Sequence, residues 1–439
     1  MQQRKKDFKF TTIATAIGVA LLAQNPASAT DGYFSHGYGI KAKGMGGAAT
    51  AMNKDAFGGA NNPASMVFVG NRMDVGVDWF KPSRDATRSG AAIPTLNGKS
   101  TSGENNFLIP EFGYNRMLSN DMSLGISVYG NGGLNTTYDQ GSFNCGNPSG
   151  NNMLCGGGKL GVDMIQLILA PTFAMKLNND HAIGVSMLLG YQRFKADGLQ
   201  AFNNSPGFPP FTGAPGFVTN NGYDSSTGVG LRVGYQGKLT DNLTLGIAYA
   251  NKMDMKAFDK YKGLFAQQGD FDIPENYSVG FAYAPDKLWT IAVDYQRINY
   301  SGVSSIGNSS MPKAPLGAMN GPGFGWKDID VFKLGVEYKF SEQLELRAGY
   351  NQGKNPIGNS DVTFNILAPG VVQTHLTLGM SYVLNKESEI SASFMHAPRQ
   401  TVSGPSLFNG LFPAPPNAGG TETIGMSQNA LGVAWSMKF

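Results

Sequence analysis

The final nine residues of the chain, LGVAWSMKF at positions 431–439, alternate between two kinds of side chain. Leucine, valine, tryptophan, methionine and phenylalanine take the odd-numbered positions, whereas glycine, alanine, serine and lysine take the even-numbered ones. Because successive side chains of a β-strand point to opposite faces, this alternation predicts a strand with one apolar face and one small or polar face. Such a strand suits the wall of a membrane β-barrel, where the apolar face is turned to lipid.

The same alternation recurs along the whole chain. In VFKLGVEYKF at positions 331–340, Phe332 and Leu334 lie on the predicted lipid face, and Lys333 lies on the lumen face between them. We predict fourteen strands, near residues 67–80, 107–118, 121–136, 160–177, 181–196, 223–239, 242–257, 271–285, 287–301, 326–340, 343–355, 371–384, 388–400 and 424–439.

The connections between these strands alternate in length. MLSND, LNND, KLTDN, APDK, FSEQ and LNKES are tight polar turns, and the connections between them are much longer. Short turns on one side and long loops on the other are typical of a bacterial outer-membrane barrel, with the short side in the periplasm. A large soluble β-sandwich or propeller would explain neither this asymmetry nor the terminal strand.

The N-terminus has the features of an export signal. Arg4, Lys5 and Lys6 form a basic region, residues 13–23 are apolar, and Ala27-Ser28-Ala29 fits a cleavage site. An uncleaved anchor is the alternative, but the apolar stretch is shorter than the roughly 20 residues needed to span a bilayer. We therefore predict a signal peptide at residues 1–29 and a mature chain that begins at Thr30.

Charge and composition exclude several classes of function. Removal of the signal takes away four of the 34 basic residues and one of the 31 acidic ones, which leaves 30 of each. A neutral mature chain has no electrostatic basis for binding nucleic acid. The 59 glycines and the charged fraction of 15% suit barrel strands with a small, polar inner face.

The two cysteines and four histidines do not form a recognisable chemical site. Cys145 and Cys155 lie ten positions apart, and in an exported protein we expect them to close a loop as a disulfide. None of the histidines lies in that loop, so a metal site there would lack ligands. The histidines also do not pair with a serine in a lipase-like arrangement. We expect no enzyme activity, metal or cofactor.

Residues 31–66, between the signal and the first strand, fit neither a strand nor a solvated tail. They contain eight glycines and the tripeptide Asn62-Pro63-Ala64. A disordered periplasmic tail is the alternative, but the low charge and side chains such as Tyr33 and Phe34 argue against it. A fourteen-stranded barrel leaves a lumen unless something fills it, and this segment could fill it.

The run GYFSHGYGIKAKGMGGAATAMNKDAFGGANNPASM resembles the N-terminal hatch of the FadL family, outer-membrane transporters of long-chain fatty acids and other hydrophobic compounds. Phe439 also resembles the terminal residue of such barrels. The resemblance implies an all-β protein, a 14-stranded antiparallel transmembrane β-barrel at residues 67–439 plugged by a hatch at residues 30–66. It also implies a monomer that works passively, with a hatch whose first residues reach the ligand pocket and move: Asp31, Gly32, Tyr33 and Phe34.

Two long loops are rich in apolar side chains that could capture ligand outside the cell. The resemblance implies an outer binding groove formed by the corresponding loops of the family, and plain loop packing or phage binding is the alternative. The candidates are Phe202, Phe208, Phe211, Phe217, Phe258, Tyr261, Leu264 and Phe265.

The third predicted strand is interrupted by Gly130, Asn131, Gly132 and Gly133. Glycine within a strand marks a bulge or bend. The resemblance implies a lateral gate here, through which ligand leaves sideways into the membrane. A simple bulge near the rim of the barrel is the competing interpretation.

A fatty-acid carboxylate would need a cation in a partly dry site. Arg193, Lys333 and Arg347 are the basic candidates on strands. Carboxylates such as Glu337 and Glu345 share the inward face, so a structural network of charges in the lumen is the alternative.

The sequence thus predicts passive transport of hydrophobic molecules, above all long-chain fatty acids, across the outer membrane of a Gram-negative bacterium. Transport of aromatic hydrocarbons and a role as a surface receptor or adhesin stay open as alternatives. The expected partners are the hydrophobic ligand, outer-membrane lipid, lipopolysaccharide and, during biogenesis, the barrel-assembly machinery.

Overall fold

The structure is a computed structural model that describes residues 31–141, 143–145, 150–206, 210–311, 313–411 and 417–439. The predicted signal peptide and Phe208 lie outside the described residues. Among the described residues, no helix is both long enough and apolar enough to cross a membrane.

Fourteen strands form the wall of a closed barrel in which each strand pairs antiparallel with its neighbours in the chain. The last strand pairs with the first and closes the ring. The prediction of a fourteen-stranded antiparallel barrel is confirmed. The strands are β1 (Arg72–Ser89), β2 (Phe107–Met117), β3 (Met122–Tyr138), β4 (Leu160–Lys176), β5 (His181–Asp197), β6 (Asp224–Thr240), β7 (Leu243–Ala250), β8 (Asn276–Tyr283), β9 (Trp289–Ile298), β10 (Ile329–Lys339), β11 (Leu344–Gly353), β12 (Thr374–Val383), β13 (Ser388–Pro405) and β14 (Thr421–Lys438).

The remaining elements are short and lie in the loops or in and just after residues 31–66 of the predicted hatch, here called the hatch segment. Two extra strands, Gly98–Thr101 and Asp254–Met255, pair with β1 and β6 respectively. The α-helices are Ile40–Lys43, Ala266–Gly269, Ser304–Gly307, Val362–Asn365 and Phe408–Leu411. The 3-10 helices are Pro63–Phe68, Pro94–Leu96, Gln200–Phe202, Asp259–Tyr261, Tyr300–Gly302 and Asn359–Asp361.

The two faces of the wall follow the alternation in the sequence. Phe332 and Leu334 are exposed on the outside, whereas Lys333 between them is buried. In β14, Leu431 and Val433 are likewise exposed, as side chains that face lipid should be.

The long loops meet above the seam between β1 and β14 at a buried ion pair. Arg88 and Glu422 are cross-strand partners, their side chains have no exposed surface, and Arg88 Nε donates to Glu422 Oε1 at 2.9 Å. The Arg88 guanidinium also donates to the carbonyl of Met153 and lies 4.7 Å from the centre of the Phe408 ring. Thr363 donates to the second Glu422 oxygen. This pair therefore ties three loops to the seam.

A disulfide joins Cys145 to Cys155 in the loop between β3 and β4, with 5.6 Å between the two Cα atoms. The neighbouring Asn152 donates from its amide to the carbonyl of Gly198, at the end of β5, at 2.8 Å. The closed loop is thereby fixed to the next loop along the rim.

Candidate functional site

An apolar cavity of about 480 Å³, including part of its opening, lies beneath the extracellular loops. Its wall combines side chains from β4, from β5 and from four different loops. Among the described residues that line it, none is charged, and the one hydroxyl, that of Ser305, donates to the carbonyl of Asp270. The aromatic rings in the lining are Phe194, Phe202, Phe265, Phe324 and Phe364.

The predicted capture residues are not displayed as an exposed surface. Phe217 is 38% exposed and Leu264 is half-buried, but the other five described candidates are buried. The expectation of exposed apolar loops is wrong for these five because the loops pack against one another and remove the rings from water. The buried residues are Phe202, Phe211, Phe258, Tyr261 and Phe265.

Phe194, at the extracellular end of β5, is the centre of these buried rings and was not among the predicted site residues. Its ring centre lies 4.7 Å from that of Phe265 and 4.8 Å from that of Tyr261. Phe202 and Phe265, from the two capture loops, line the cavity, whereas Phe258 and Tyr261 pack behind it. Phe194 occupies an inward-facing position in the alternation of its predicted strand, and this position could have identified it as a lumen residue.

The loop between β9 and β10 closes the cavity from above and was also missed. Leu316 lines the cavity, its amide donates to the carbonyl of Phe211 at 2.7 Å, and its carbonyl accepts from Gly213 at 3.1 Å. The amide of Gln267 donates to the carbonyl of Ala318 at 2.9 Å. This loop is therefore bonded through its backbone to both predicted capture loops.

Residues 31–34, here called the N-terminal segment, are held by one tyrosine hydroxyl. The amides of Tyr33 and Phe34 donate to the Tyr300 hydroxyl at 3.2 and 3.4 Å, and that hydroxyl donates to the carbonyl of Asp31. The Tyr33 ring lies 6.2 Å from that of Phe271, which in turn lies 4.9 Å from the cavity residue Phe265. The N-terminal segment is thus one ring removed from the cavity.

The N-terminal segment also fills a gap in the barrel wall. Pairing between β2 and β3 runs up to Phe112 and Val128 and stops there in the described strands, although both strands continue. Above this point β3 contains a bulge, which appears as a shift in its register against β4 between Gly130 and Gly132. Phe34 forms a β-bridge with Gly132, so the hatch segment supplies backbone where a wall strand does not.

Asn131, the extra residue of the bulge, links β3 to the hatch segment. Its carbonyl accepts from the amide of Ser35 at 3.1 Å and from the hydroxyl of Tyr38 at 3.1 Å. A Cβ atom on Gly132 would lie 1.8 Å from the carbonyl oxygen of Tyr33. Only glycine at this position allows the N-terminal segment to approach so closely.

Asn62-Pro63-Ala64 fixes the far end of the hatch segment to the wall. The Asn62 amide donates to the carbonyls of Thr50 and Tyr235, each at 2.8 Å, and its oxygen accepts from Ala64. The Pro63 carbonyl carbon lies 2.4 Å from where a Cβ atom on Gly184 of β5 would be. This tripeptide therefore joins the hatch segment to β5 and β6.

Two lysines of the helix Ile40–Lys43 attach the middle of the hatch segment to the wall. Lys43 Nζ lies 3.1 Å from Asp78 and 3.3 Å from Glu111, and Lys41 is paired with Glu389. Burial opposes the charge of Lys43, but the two carboxylates outweigh it and hold the pKa of Lys43 above its usual value. Residues 31–66 are thus attached to the wall at their middle and at their far end, and the N-terminal segment is the part that lies in the gap.

The three predicted carboxylate partners do not come together. Arg193 lies over the Tyr223 ring at 4.1 Å, Lys333 Nζ donates to the carbonyl of His36 at 3.0 Å, and Arg347 is paired with Glu337 and Glu345.

None of these three basic residues is among the described residues that line the apolar cavity. Lys333 instead borders a polar cavity of about 410 Å³ below the N-terminal segment, together with Arg232 and Asp294. Within the described part of the chain, no group of three or more acidic, cysteine or histidine side chains is placed to hold a metal ion.

Residues 19–405 match the model of a protein family described as outer membrane protein transport protein (OMPP1/FadL/TodX). The chain belongs to the FadL family. The resemblance predicted from the hatch sequence is confirmed, and with it an outer-membrane β-barrel transporter. This family is made up of transport channels, not enzymes.

Solved structures share the FadL-family fold at low identity. The Pseudomonas putida toluene transporter TodX is 20% identical, with 93% of this chain and 100% of that chain covered and a TM-score of 0.66. A Pseudomonas aeruginosa FadL homologue is 16% identical, with 93% and 100% covered and a TM-score of 0.68. The Ralstonia pickettii toluene transporter TbuX is 16% identical, with 92% and 99% covered and a TM-score of 0.62. No curated protein matches the sequence.

Proposed function

We propose that this FadL-family protein carries hydrophobic molecules passively across the outer membrane. The ligand is captured at the loops, binds in the apolar cavity and leaves sideways through the gap beside the β3 bulge. One observation carries this proposal: the cavity, the Phe271 and Tyr33 rings and the gap at Gly132 follow one another without a charged side chain among the named contacts. Displacement of the N-terminal segment would connect the cavity to the gap.

The lining of the cavity bears on the class of ligand. The sequence predicts long-chain fatty acids, whose carboxylate would need a cation or several donors to offset its loss of water. The described lining offers no charge, and its single hydroxyl is already engaged. The cavity therefore favours a neutral hydrocarbon, and a fatty acid would have to keep its carboxylate outside. Two of the structural relatives are named toluene transporters.

Uptake of labelled toluene and labelled oleate, by cells with and without the protein, tests both classes. We expect toluene uptake to depend on the protein more strongly than oleate uptake. If uptake of neither compound depends on the protein, transport of these classes is refuted. If only oleate uptake depends on it, the inference from the uncharged lining is refuted.

A matched pair of substitutions tests the cavity. Leu316→Glu puts a charge into the lining, where the residue is 4% exposed, and should lower toluene uptake at least tenfold. Met319→Glu adds the same charge in the same loop at a residue that is 66% exposed, and uptake should stay within about twofold. Equal uptake by the two variants, at equal amounts in the membrane, would contradict binding in this cavity.

The lateral exit is tested at the bulge. Valine at both Gly132 and Gly133 would displace the N-terminal segment, but the new side chains would fill the gap that the segment leaves, so uptake should slow while the barrel still inserts. Valine at Gly157, where a Cβ atom would have no neighbour within 4 Å, is the control. Undiminished uptake by a well-inserted Gly132/Gly133 variant would rule out this exit.

A further inference from the structure

The outer face of β1, β13 and β14 changes from apolar to polar along a defined row. Trp79 is the cross-strand partner of Leu431, and Leu431 is the partner of Phe394, so the three residues lie side by side. All three are exposed on the outside of the barrel. Because membrane-exposed strands are apolar up to the interface and carry aromatic residues there, this row marks the outer edge of the hydrocarbon layer.

The next outward row is polar. Lys81 is the partner of Asn429, which is the partner of His396, and all three side chains are exposed. Lys81 lies two residues beyond Trp79, or about 7 Å along the strand. Its ammonium is 5.9 Å from the centre of the Trp79 ring. The lysine is thus at the depth of the lipid head groups.

Two further cations lie farther out on the same side of the barrel, around Asp85, which is four residues or about 13 Å beyond Lys81 on β1. Arg399, at the bulge of β13, is 44% exposed in its side chain and contacts Asp85 at 2.8 Å. Lys99, on the short strand beside β1, is 58% exposed and lies 3.7 Å from the same carboxylate. Arg399 and Lys99 therefore share one carboxylate, and Lys81 lies on the inward side of it; Lys81, Lys99 and Arg399 are here called the basic face.

Another part of the wall, at β10, differs at the corresponding row. On β10, Asp330 is the next outward residue beyond the exposed Phe332, and it contacts Arg297 at 2.8 Å and Lys354 at 2.7 Å. Arg297 also contacts Asp328 at 3.1 Å. Two cations there meet two carboxylates, whereas the basic face has three cations for one. The excess of positive charge distinguishes the basic face from the outer end of β10.

We propose that the basic face binds the phosphate groups of lipid A in the outer leaflet, a function separate from transport. Lipid A carries its phosphates at the boundary between hydrocarbon and water, which is the depth of Lys81. Arginine and lysine are the side chains that best bind phosphate, and Asp85 holds Arg399 and Lys99 toward this one face. The exposed indole of Trp79 lies directly below, against the acyl chains.

The full-length protein in detergent micelles, with bisphosphorylated lipid A added, allows a direct test by native mass spectrometry. The basic-face variant Lys81→Gln/Lys99→Gln/Arg399→Gln should bind lipid A at least tenfold more weakly than the parent. The control variant Lys238→Gln/Lys339→Gln/Lys386→Gln removes three charges at the periplasmic turns and should bind like the parent. Heat-modifiable migration on gels verifies that both variants are folded barrels.

Two further arms identify the ligand. Lipid A that lacks both phosphates should bind the parent protein weakly. Its affinity should be no higher than that of bisphosphorylated lipid A for the basic-face variant. Inorganic phosphate at the concentration of the lipid should not displace it. Equal binding of lipid A by the folded basic-face variant, equal binding of the stripped lipid, or displacement by inorganic phosphate would each overturn the proposal.

Discussion

The Tyr300 hydroxyl is a single atom on which the docking of the N-terminal segment depends. Tyr300→Phe removes this oxygen and keeps the ring, which packs 5.1 Å from the Trp326 ring and 5.3 Å from the Tyr33 ring. Two buried amides lose the hydroxyl as an acceptor, and one buried carbonyl loses it as a donor. The substitution therefore weakens the attachment of the segment without opening a cavity in the ring cluster.

The magnitude follows from these three groups. A buried polar group left without a partner costs about 1–3 kcal/mol, and partial rearrangement of a short terminal segment should recover some of this. We expect local opening of the segment to become easier by about 2–4 kcal/mol, or roughly 30-fold to 1,000-fold. The barrel should keep its stability, because local opening near a chain terminus is separate from global unfolding.

Hydrogen exchange of the peptide that contains the N-terminal segment measures this change. In Tyr300→Phe the protection of that peptide should fall by the stated factor, while wall peptides exchange as in the parent. Tyr138→Phe is the matched control, because it removes another buried hydroxyl, which donates to the carbonyl of Ile366 at 2.9 Å, away from the segment. Protection in Tyr300→Phe within threefold of the parent would refute the role assigned to the hydroxyl.

Two other predictions concern buried charges. Burial raises the pKa of Asp31 to about 6, so the docked segment holds the proton more tightly than the free one; docking is strongest below about pH 4 and weakens as the pH rises through 6. Hydrogen exchange of the N-terminal segment, corrected for the pH dependence of the intrinsic exchange rate, should show this loss of protection as the pH rises. If the same pH dependence persists in Asp31→Asn, Asp31 is not the group responsible. Arg88→Met should lower the free energy of unfolding in urea by about 3–5 kcal/mol, and Arg88→Met/Glu422→Leu by clearly less. If the single and the double variant lose the same free energy of unfolding, the unpaired carboxylate of Glu422 is not the cause of the loss.

The number and order of the strands could be predicted because the wall imposes a period of two on every segment that crosses lipid. The boundaries of β1 show where this signal ends. The strand was predicted at residues 67–80 but spans Arg72–Ser89, because the start of the predicted range lies in the helix Pro63–Phe68. Beyond Trp79 the outward side chains are polar, so the apolar alternation stops although the strand continues.

The site was predicted less completely than the wall. Glycine spacing indicated the bulge of β3, since it reflects a local backbone requirement. The burial of the loop rings depends on contacts such as that between Phe194 and Phe265, which lie 71 positions apart, and no local spacing encodes it. For the same reason, no local pattern indicates that Tyr300 holds the N-terminal segment or that Leu316 covers the cavity.

The seam pair Arg88 and Glu422 has a consequence for the order in which the protein is made. Its two halves lie at opposite ends of the chain and meet when β14 joins β1. The loops that they hold together, one of which contributes Phe364 to the lining of the apolar cavity, can settle only after this last junction has formed. A chain still in transit through the periplasm would therefore have no finished ligand site. Competence to bind hydrophobic cargo would begin with completion of the barrel in the membrane.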